Sequence, residues 1–244
     1  MTQKKDFFDK LGDFFKEADF FNKISFNVNK AGYPFIGLFF FVTLVFFSFS
    51  DFLGWIGFVL SIWCVYFFRD PERITPADKN LFISPADGKI LKIVETEAPG
   101  TLNDKKKLKL KKVSIFMNVF NVHVNRIPMT GKIVWLKYVP GSFFNASLDK
   151  ASENNERMIT KIEVSKNNYI YVVQIAGLIA RRIKCELNEN QNVNVGERFG
   201  IIRFGSRVDL YLPLNSSVNV MEGQTVIGGE TVIGEMKSIS NSKK

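Results

Sequence analysis

The chain has 244 residues, 46% of them hydrophobic. With a mean hydropathy of +0.02 it is no disordered or collagen-like polymer, and it is long enough for one catalytic-sized domain plus an appendage. Lys and Arg number 33 against 24 Asp and Glu, a net charge of +9. Two distant cysteines, Cys64 and Cys185, and a single histidine, His123, exclude a disulfide framework, a cysteine zinc site and any metal site built on two histidines.

In DFFDKLGDFFKEADFF, Phe7, Leu11, Phe14, Phe15, Ala18 and Phe21 recur at helical spacing. An amphipathic segment over 1–30 is expected, lying on a membrane surface or packed against the rest of the chain. Between Lys30 and Arg69 the only charge is Asp51. Two apolar runs flank it, each of about 17–18 residues and so near the minimum for crossing hydrocarbon. They predict a helical hairpin over 31–68 that turns at Ser50-Asp51, as two spanning helices or a re-entrant pair. A buried soluble hairpin is the plainer alternative. A cleaved signal peptide does not fit, because 30 residues precede the run and no small-residue cleavage site follows it. Lys23, Lys30, Arg69 and Arg73 flank both ends, which puts both on the cytoplasmic side of a cell membrane.

Residues 69–244 hold 27 basic and 18 acidic side chains, the whole charge excess. A basic body tethered to a bilayer points to anionic lipid headgroups. Nucleic acid is disfavoured, since no zinc finger, aromatic RNA-binding signature or helix-turn-helix pattern is present. The run DKKKLKLKK at 104–112 reads equally as a solvated hairpin loop or as a lipid-facing patch. From 80 to 235 the chain reads as mostly β, in the Val-, Ile- and Tyr-rich runs LFISPADGKILKIV, KVSIFMN, VHVNRIP, GKIVWLKYV, NYIYVVQIAG, RFGIIRFG and RVDLYLP between turn residues. In RVDLYLP, Val208, Leu210 and Leu212 face one way, and Arg207, Asp209 and Tyr211 the other. The polar stretch from Phe143 to Arg157 predicts a long loop with a helical turn, a length that is often functional. The fold class expected is α+β: a β-rich domain over 69–244 with a barrel-sandwich-like core, behind an N-terminal helical hairpin.

SPADGKI and the closing VNVMEGQTVIGGETVIGEM are similar to biotinyl and lipoyl carrier domains. Lys89 follows a Gly and not the Met beside a carrier lysine, so the likeness is read as architecture only. No HExxH, GxSxG, P-loop or GxGxxG motif occurs. A lone strand histidine is commonly structural. Two details favour chemistry: His123 lies in the polar-interrupted FNVHVNRIP, and Gly205-Ser206 interrupts the apolar IIRFGSRVDLYLP. Gly in a strand marks a bulge or a close backbone approach. It also leaves a peptide carbonyl open to the Ser206 hydroxyl.

The set RDPER (69–73), SPADGKI (84–90), FMNVFNVHVNRIPMTGKI (116–133), ASENNER (151–157), QIAGLIARRI (174–183) and GERFGIIRFGSRVDLYLP (196–213) resembles the phosphatidylserine decarboxylase family, in its short bacterial and archaeal form. The resemblance runs from about Arg69 to Gly234, with the motifs in family order. It implies a proenzyme that cuts itself between Gly205 and Ser206. The Ser206 hydroxyl attacks the Gly205 carbonyl to give an ester. Elimination leaves dehydroalanine, and hydrolysis with loss of ammonia gives a pyruvoyl group. The products would be a large chain, 1–205, and a small chain, 206–244, held together as a heterodimer, with higher oligomers left open.

The resemblance further implies His123 as base, oriented by Asp87, in the manner of a Ser-His-Asp arrangement. The pyruvoyl ketone would form a Schiff base with the amine of a membrane phospholipid, phosphatidylserine, and release CO2 to leave phosphatidylethanolamine. No metal and no pyridoxal phosphate would be needed. Arg126, Arg203 and Arg207 lie in the motifs and are candidates for holding the lipid phosphate. Longer relatives carry a second histidine and a Leu-Gly-Ser-Thr cleavage motif, where this chain has Arg126 and Phe204-Gly205-Ser206-Arg207. Either His123 serves both steps or Asp87 does more. Alternatives are an archaetidylserine or soluble amino-acid substrate, a non-cleaving membrane-tethered adaptor, and a carrier modified on Lys89.

Overall fold

The computed structural model describes residues 27–100, 108–148, 151–178, 182–203 and 206–236. Residues 1–26 of the amphipathic segment expected over 1–30, residues 104–107 of the lysine run and Gly205 fall outside them. A short 3-10 turn, Lys30–Gly32, opens the described chain, with the Asn29 side chain accepting from the Ala31 N–H at 3.0 Å. Pro34 sits in the first turn of helix α1 (Tyr33–Phe49), where its missing N–H costs nothing. Ser50 is extended and ends it. Helix α2 (Asp51–Phe67) follows at once, with Asp51 against its positive end.

The two helices pack side by side. Thr43 Oγ1 and Ser61 Oγ meet at 2.9 Å between them, and a side chain at Gly57 would collide with Thr43. Elsewhere both are apolar on faces that no described residue covers: Phe41, Leu44, Phe49, Phe52, Trp55 and Val59 are all more than 60% exposed. The stretch Lys30–Phe49, 20 residues of mean hydropathy 1.9, is long and apolar enough to cross a membrane, while Asp51–Phe67 is shorter.

Fourteen strands are described, all paired antiparallel. They are β1 (Leu81–Ile83), β2 (Gly88–Glu97), β3 (Lys109–Met117), β4 (Val124–Arg126), β5 (Gly131–Val139), β6 (Arg157–Ser165), β7 (Asn168–Ala176), β8 (Ile183–Cys185), β9 (Asn192–Val193), β10 (Arg198–Ile202), β11 (Ser206–Pro213), β12 (Ser217–Val218), β13 (Thr225–Val226) and β14 (Val232–Glu235). Eight form one sheet in the order β13-β2-β3-β11-β7-β6-β5-β9. Two three-stranded sheets, β1-β14-β12 and β4-β10-β8, complete the architecture. They share the main core with one face of the large sheet, where Phe82, Phe199, Ile202 and Ile233 meet Val113, Ile115, Val172 and Leu210. This is the layered β architecture expected from sequence.

Strand β11 lies inside the large sheet, in register with β3 from Ser206↔Met117 to Pro213↔Leu110 and with β7 from Ser206↔Ala176 to Tyr211↔Tyr171. Its alternation is as expected, but both faces are buried. Val208, Leu210 and Leu212 enter the main core, and Tyr211 joins a second cluster with Tyr171, Val173 and Ile175 on the opposite face. Strand β6 was not expected. Its sequence RMITKIEVS follows the polar stretch directly and mixes charge into its alternation. Among the described residues between Phe143 and Arg157 there is one helical turn, Ala151–Asn154. Lys109 and Lys111 of β3 stand opposite Glu97 and Glu95 of β2, so this part of the basic run faces acidic strand partners. Lys89 lies within β2, paired to Phe116 and Thr225. It is not at a hairpin tip, which removes the carrier reading.

Candidate active site

His123 is delivered by an Asx turn. The Asn118 side chain accepts from the Phe120 N–H at 2.8 Å, and the Asn121 side chain accepts from the Asn118 N–H at 2.9 Å. His123 then stands just before β4, wholly buried. The base of the hairpin roofs it: the Phe67 ring lies 4.2 Å away, centroid to centroid, and Cys64, Phe67 and Phe68 pack with Val122, Val124 and Ile201. Imidazole Nδ1 is 2.9 Å from the Asn121 carbonyl. A carbonyl only accepts, so Nδ1 carries the proton and Nε2 keeps its lone pair. Nε2 is buried with no hydrogen-bond partner. Burial above all, then the charge of Arg69, pushes the imidazole down to about 4 against the pull of the Asn121 carbonyl, so it is neutral at pH 7.

Ser206 is also fully buried and opens β11. By the two-residue period its side chain shares the inner face with Val208 and Leu210. There it meets a small polar group inside an apolar core. Ser206 Oγ is 4.0 Å from Met117 Sδ, Asn125 Nδ2 is 3.7 Å from the same sulfur, and Gln174 Nε2 donates to Asn125 Oδ1 at 2.8 Å. Gln174 Oε1 is buried without a partner. Strand β10 links this group to His123, since the Ile202 N–H reaches the His123 carbonyl at 3.4 Å, four residues before Ser206.

Asp87 sits in the turn before β2. Gly88, at φ 157°, lies so close to the Phe116 carbonyl that any side chain would clash with it. The Asp87 carboxylate pairs with Arg73 at 2.9 Å and accepts the Gly228 N–H at 2.7 Å and the Val122 N–H. Burial outweighs these contacts and raises its pKa. The structure thus brings Asp87 to the residue beside His123 but forms no hydrogen bond between the two side chains. The Asn121 carbonyl, and not Asp87, orients the imidazole.

The three candidate arginines differ. Arg126 donates to the Gly196 carbonyl at 2.9 Å and the Pro71 carbonyl at 2.8 Å and lies 3.5 Å from Asp70. Arg207 points to the face of β11 opposite Ser206, where it pairs with Asp209 at 2.6 Å and Ser114 at 2.7 Å. Both are nearly wholly buried and held by the protein. Arg203, at the end of β10, keeps a buried Nε without a partner and places its guanidinium 5.1 Å from the Phe35 ring of α1.

Sequence reasoning missed Asn125, Gln174 and Arg73. Gln174 could have been found, because it breaks the apolar run of NYIYVVQIAG. Arg73 could not, because its partnership with Asp87 joins two loops without periodicity. Among the described residues no cluster of His, Cys, Asp and Glu could hold a metal ion.

A family model described as "Phosphatidylserine decarboxylase" matches residues 60–234. Proteins named "Phosphatidylserine decarboxylase proenzyme" from Rickettsia typhi and Rickettsia prowazekii are each 54% identical over 208 residues, covering 85% of this chain and 90% of the relative. A protein of the same name from Rickettsia bellii is 53% identical over 208 residues with the same coverage.

Proposed function

The chain belongs to the phosphatidylserine decarboxylase family, and we propose that it is a proenzyme that cuts itself at Gly205-Ser206 and then converts phosphatidylserine to phosphatidylethanolamine and CO2. The observation that carries this reading is the setting of Ser206. It is a buried serine at the head of an internal strand, beside a polar group with an open acceptor and linked by β10 to a neutral histidine with a free Nε2.

In self-cleavage, the Ser206 hydroxyl adds to the Gly205 carbonyl and its proton passes to a base, for which His123 Nε2 is neutral and unoccupied. The acyl group moves from nitrogen to oxygen. Loss of the Ser206 α-proton then expels the Gly205 carboxylate, and water replaces the amine at residue 206 as ammonia. The small chain stays bound because β11 keeps its ladders to β3 and β7, β13 its pairing to β2, and β14 its pairing to β1.

The residues present fit a pyruvoyl group at position 206. Two buried acceptors without donors, His123 Nε2 and Gln174 Oε1, suit an incoming amine. When formed, the pyruvoyl group supplies a ketone that takes up the substrate amine and accepts the electron pair left by CO2. His123 Nε2 takes a proton from the substrate ammonium as the amine is engaged and returns it to the substrate carbon. Asn121 fixes its tautomer through Nδ1. Arg73 and Asp87 anchor the Val122 backbone, and with it the histidine's approach. The apolar hairpin attaches this site to the cytoplasmic face of the cell membrane, and Phe67 keeps water from the imidazole.

The purified protein in detergent should convert phosphatidylserine to phosphatidylethanolamine with one CO2 per turnover. Failure of cleaved protein to do so overturns the proposed reaction.

A further inference from the structure

We propose that Arg203, together with Arg182, forms a phosphodiester-binding subsite at the base of the hairpin, which holds the phosphate of the lipid being decarboxylated. This rests on the decarboxylase reading above and deepens it.

The other arginines around the site are committed. Arg73 is paired with Asp87, Arg126 with Asp70, Arg198 with Asp70 and Glu72, and Arg207 with Asp209. Arg69 donates to the Tyr66 and Phe120 carbonyls at 2.9 and 2.8 Å and lies over the Tyr66 ring. Arg203 breaks this pattern. Its Nε is buried without an acceptor, and among the described residues no carboxylate pairs with it. A second arginine adjoins it along the backbone: the Arg203 main-chain N–H meets the Arg182 carbonyl at 3.5 Å, and burial first, then the charge of Arg182, lowers the Arg203 pKa. Arg182 is exposed and likewise has no carboxylate among the described residues. Two neighbouring arginines that pair with no carboxylate among the described residues, one of them with a buried open donor, make a site for an anion from outside the protein.

Position names the anion. The Arg203 guanidinium lies over Phe35, in the first turn of α1, and Phe35 stacks on Phe68 at 5.5 Å. Beyond that turn α1 exposes Leu38 and Phe41. The cation pair therefore stands where the apolar hairpin begins, at the depth of phosphates when lipid tails lie along the helices. Arg203 is also three residues before Ser206, within about 10 Å along the chain. In a serine phospholipid only a few bonds separate phosphate from amine, so one molecule can engage both. A guanidinium fork matches a phosphodiester through two parallel hydrogen bonds.

The test uses full-length protein in neutral detergent micelles, comparing wild type, Arg203→Gln, Arg203→Lys and Arg182→Gln. Cleavage is read by intact mass and decarboxylation by steady-state kinetics on phosphatidylserine. Arg203→Gln should raise KM by about 10- to 100-fold with kcat within about threefold, Arg203→Lys should recover part of this, and Arg182→Gln should raise KM by a smaller factor. Glycerophosphoserine should compete with substrate on wild type and lose that effect in Arg203→Gln. Should Arg203→Gln fail to cleave, the exposed Arg182→Gln and glycerophosphoserine competition on wild type decide. An unchanged KM in cleaved variants overturns the subsite and leaves the decarboxylase reading standing. A KM defect that appears only when a second anionic lipid is added overturns it as well, because the phosphate would then belong to a bystander. A wild type that cleaves yet leaves phosphatidylserine unchanged overturns the decarboxylase reading itself.

Discussion

The two faces of strand β11 begin one residue apart and are built on opposite terms. On one, Arg207 is 1% exposed, and its guanidinium is closed off by Asp209 and Ser114. On the other, Ser206 is as deeply buried, yet Met117 and Asn125 connect it to Gln174, whose Oε1 has an open valence, and the chain from β10 leads to it from the contact with His123, whose Nε2 is open too. A folded core leaves few buried polar atoms unpaired, since each costs about 1–3 kcal/mol. The closed face is where the strand is held, and the open face is where chemistry is proposed.

Substitutions on the two faces should separate these roles, starting with the largest effect. Ser206→Ala should abolish cleavage and decarboxylation completely while leaving the melting temperature near that of uncut protein. Cleavage in that variant, seen on a denaturing gel, would break the contrast. Arg207→Met should leave Asp209 buried without its guanidinium and cost roughly 3–5 kcal/mol in chemical denaturation. Replacing both partners with apolar residues of similar volume should recover most of that loss. If Arg207→Met is as stable as the parent, the closed face is not holding the strand.

Acid should act through the open face. The His123 pKa is lowered from 6.5 to about 4 in the fold, so the unfolded chain binds a proton across that window and the folded chain does not. Its contribution is intact above pH 6.5 and lost as pH falls toward 4, about 3 kcal/mol in all. His123→Gln in the uncut Ser206→Ala background should flatten that part of the stability–pH curve. An unchanged slope would mean that the imidazole is not buried neutral. The smallest effect is expected from Gln174→Leu. It removes one open acceptor but leaves Asn125 Oδ1 without its donor, for a net cost of about 1–2 kcal/mol. Cleavage should slow in the same variant, and cleavage at the parent rate would take Gln174 out of the site.

Much of this was legible in the sequence because it is periodic. The hairpin showed as two uninterrupted apolar runs, and the β domain as alternation, with RVDLYLP correctly split between faces. Strand β6 was missed because Lys161 and Glu163 share its alternation with Thr160 and Ile162, and the polar loop before it blurred its start. At the site, His123 and Ser206 stood out as polar breaks in apolar strands, and the same signal at Asn125 and Gln174 went unused. The Arg73–Asp87 pair and the Asn121 carbonyl on His123 were illegible. They join loops brought together only by the fold, and a backbone carbonyl has no sequence signature. The Asp87–His123 bond expected from resemblance gives way here to two separate anchors, one for each residue.

The most direct measurement is the intact mass of the purified, detergent-solubilised protein. Two chains divided between Gly205 and Ser206, with the 206–244 chain lighter than its sequence by one ammonia, are the predicted result. A single uncut chain, under conditions in which Ser206 is free to react, would contradict the proposal that the buried serine at the head of β11 is the seat of the chemistry.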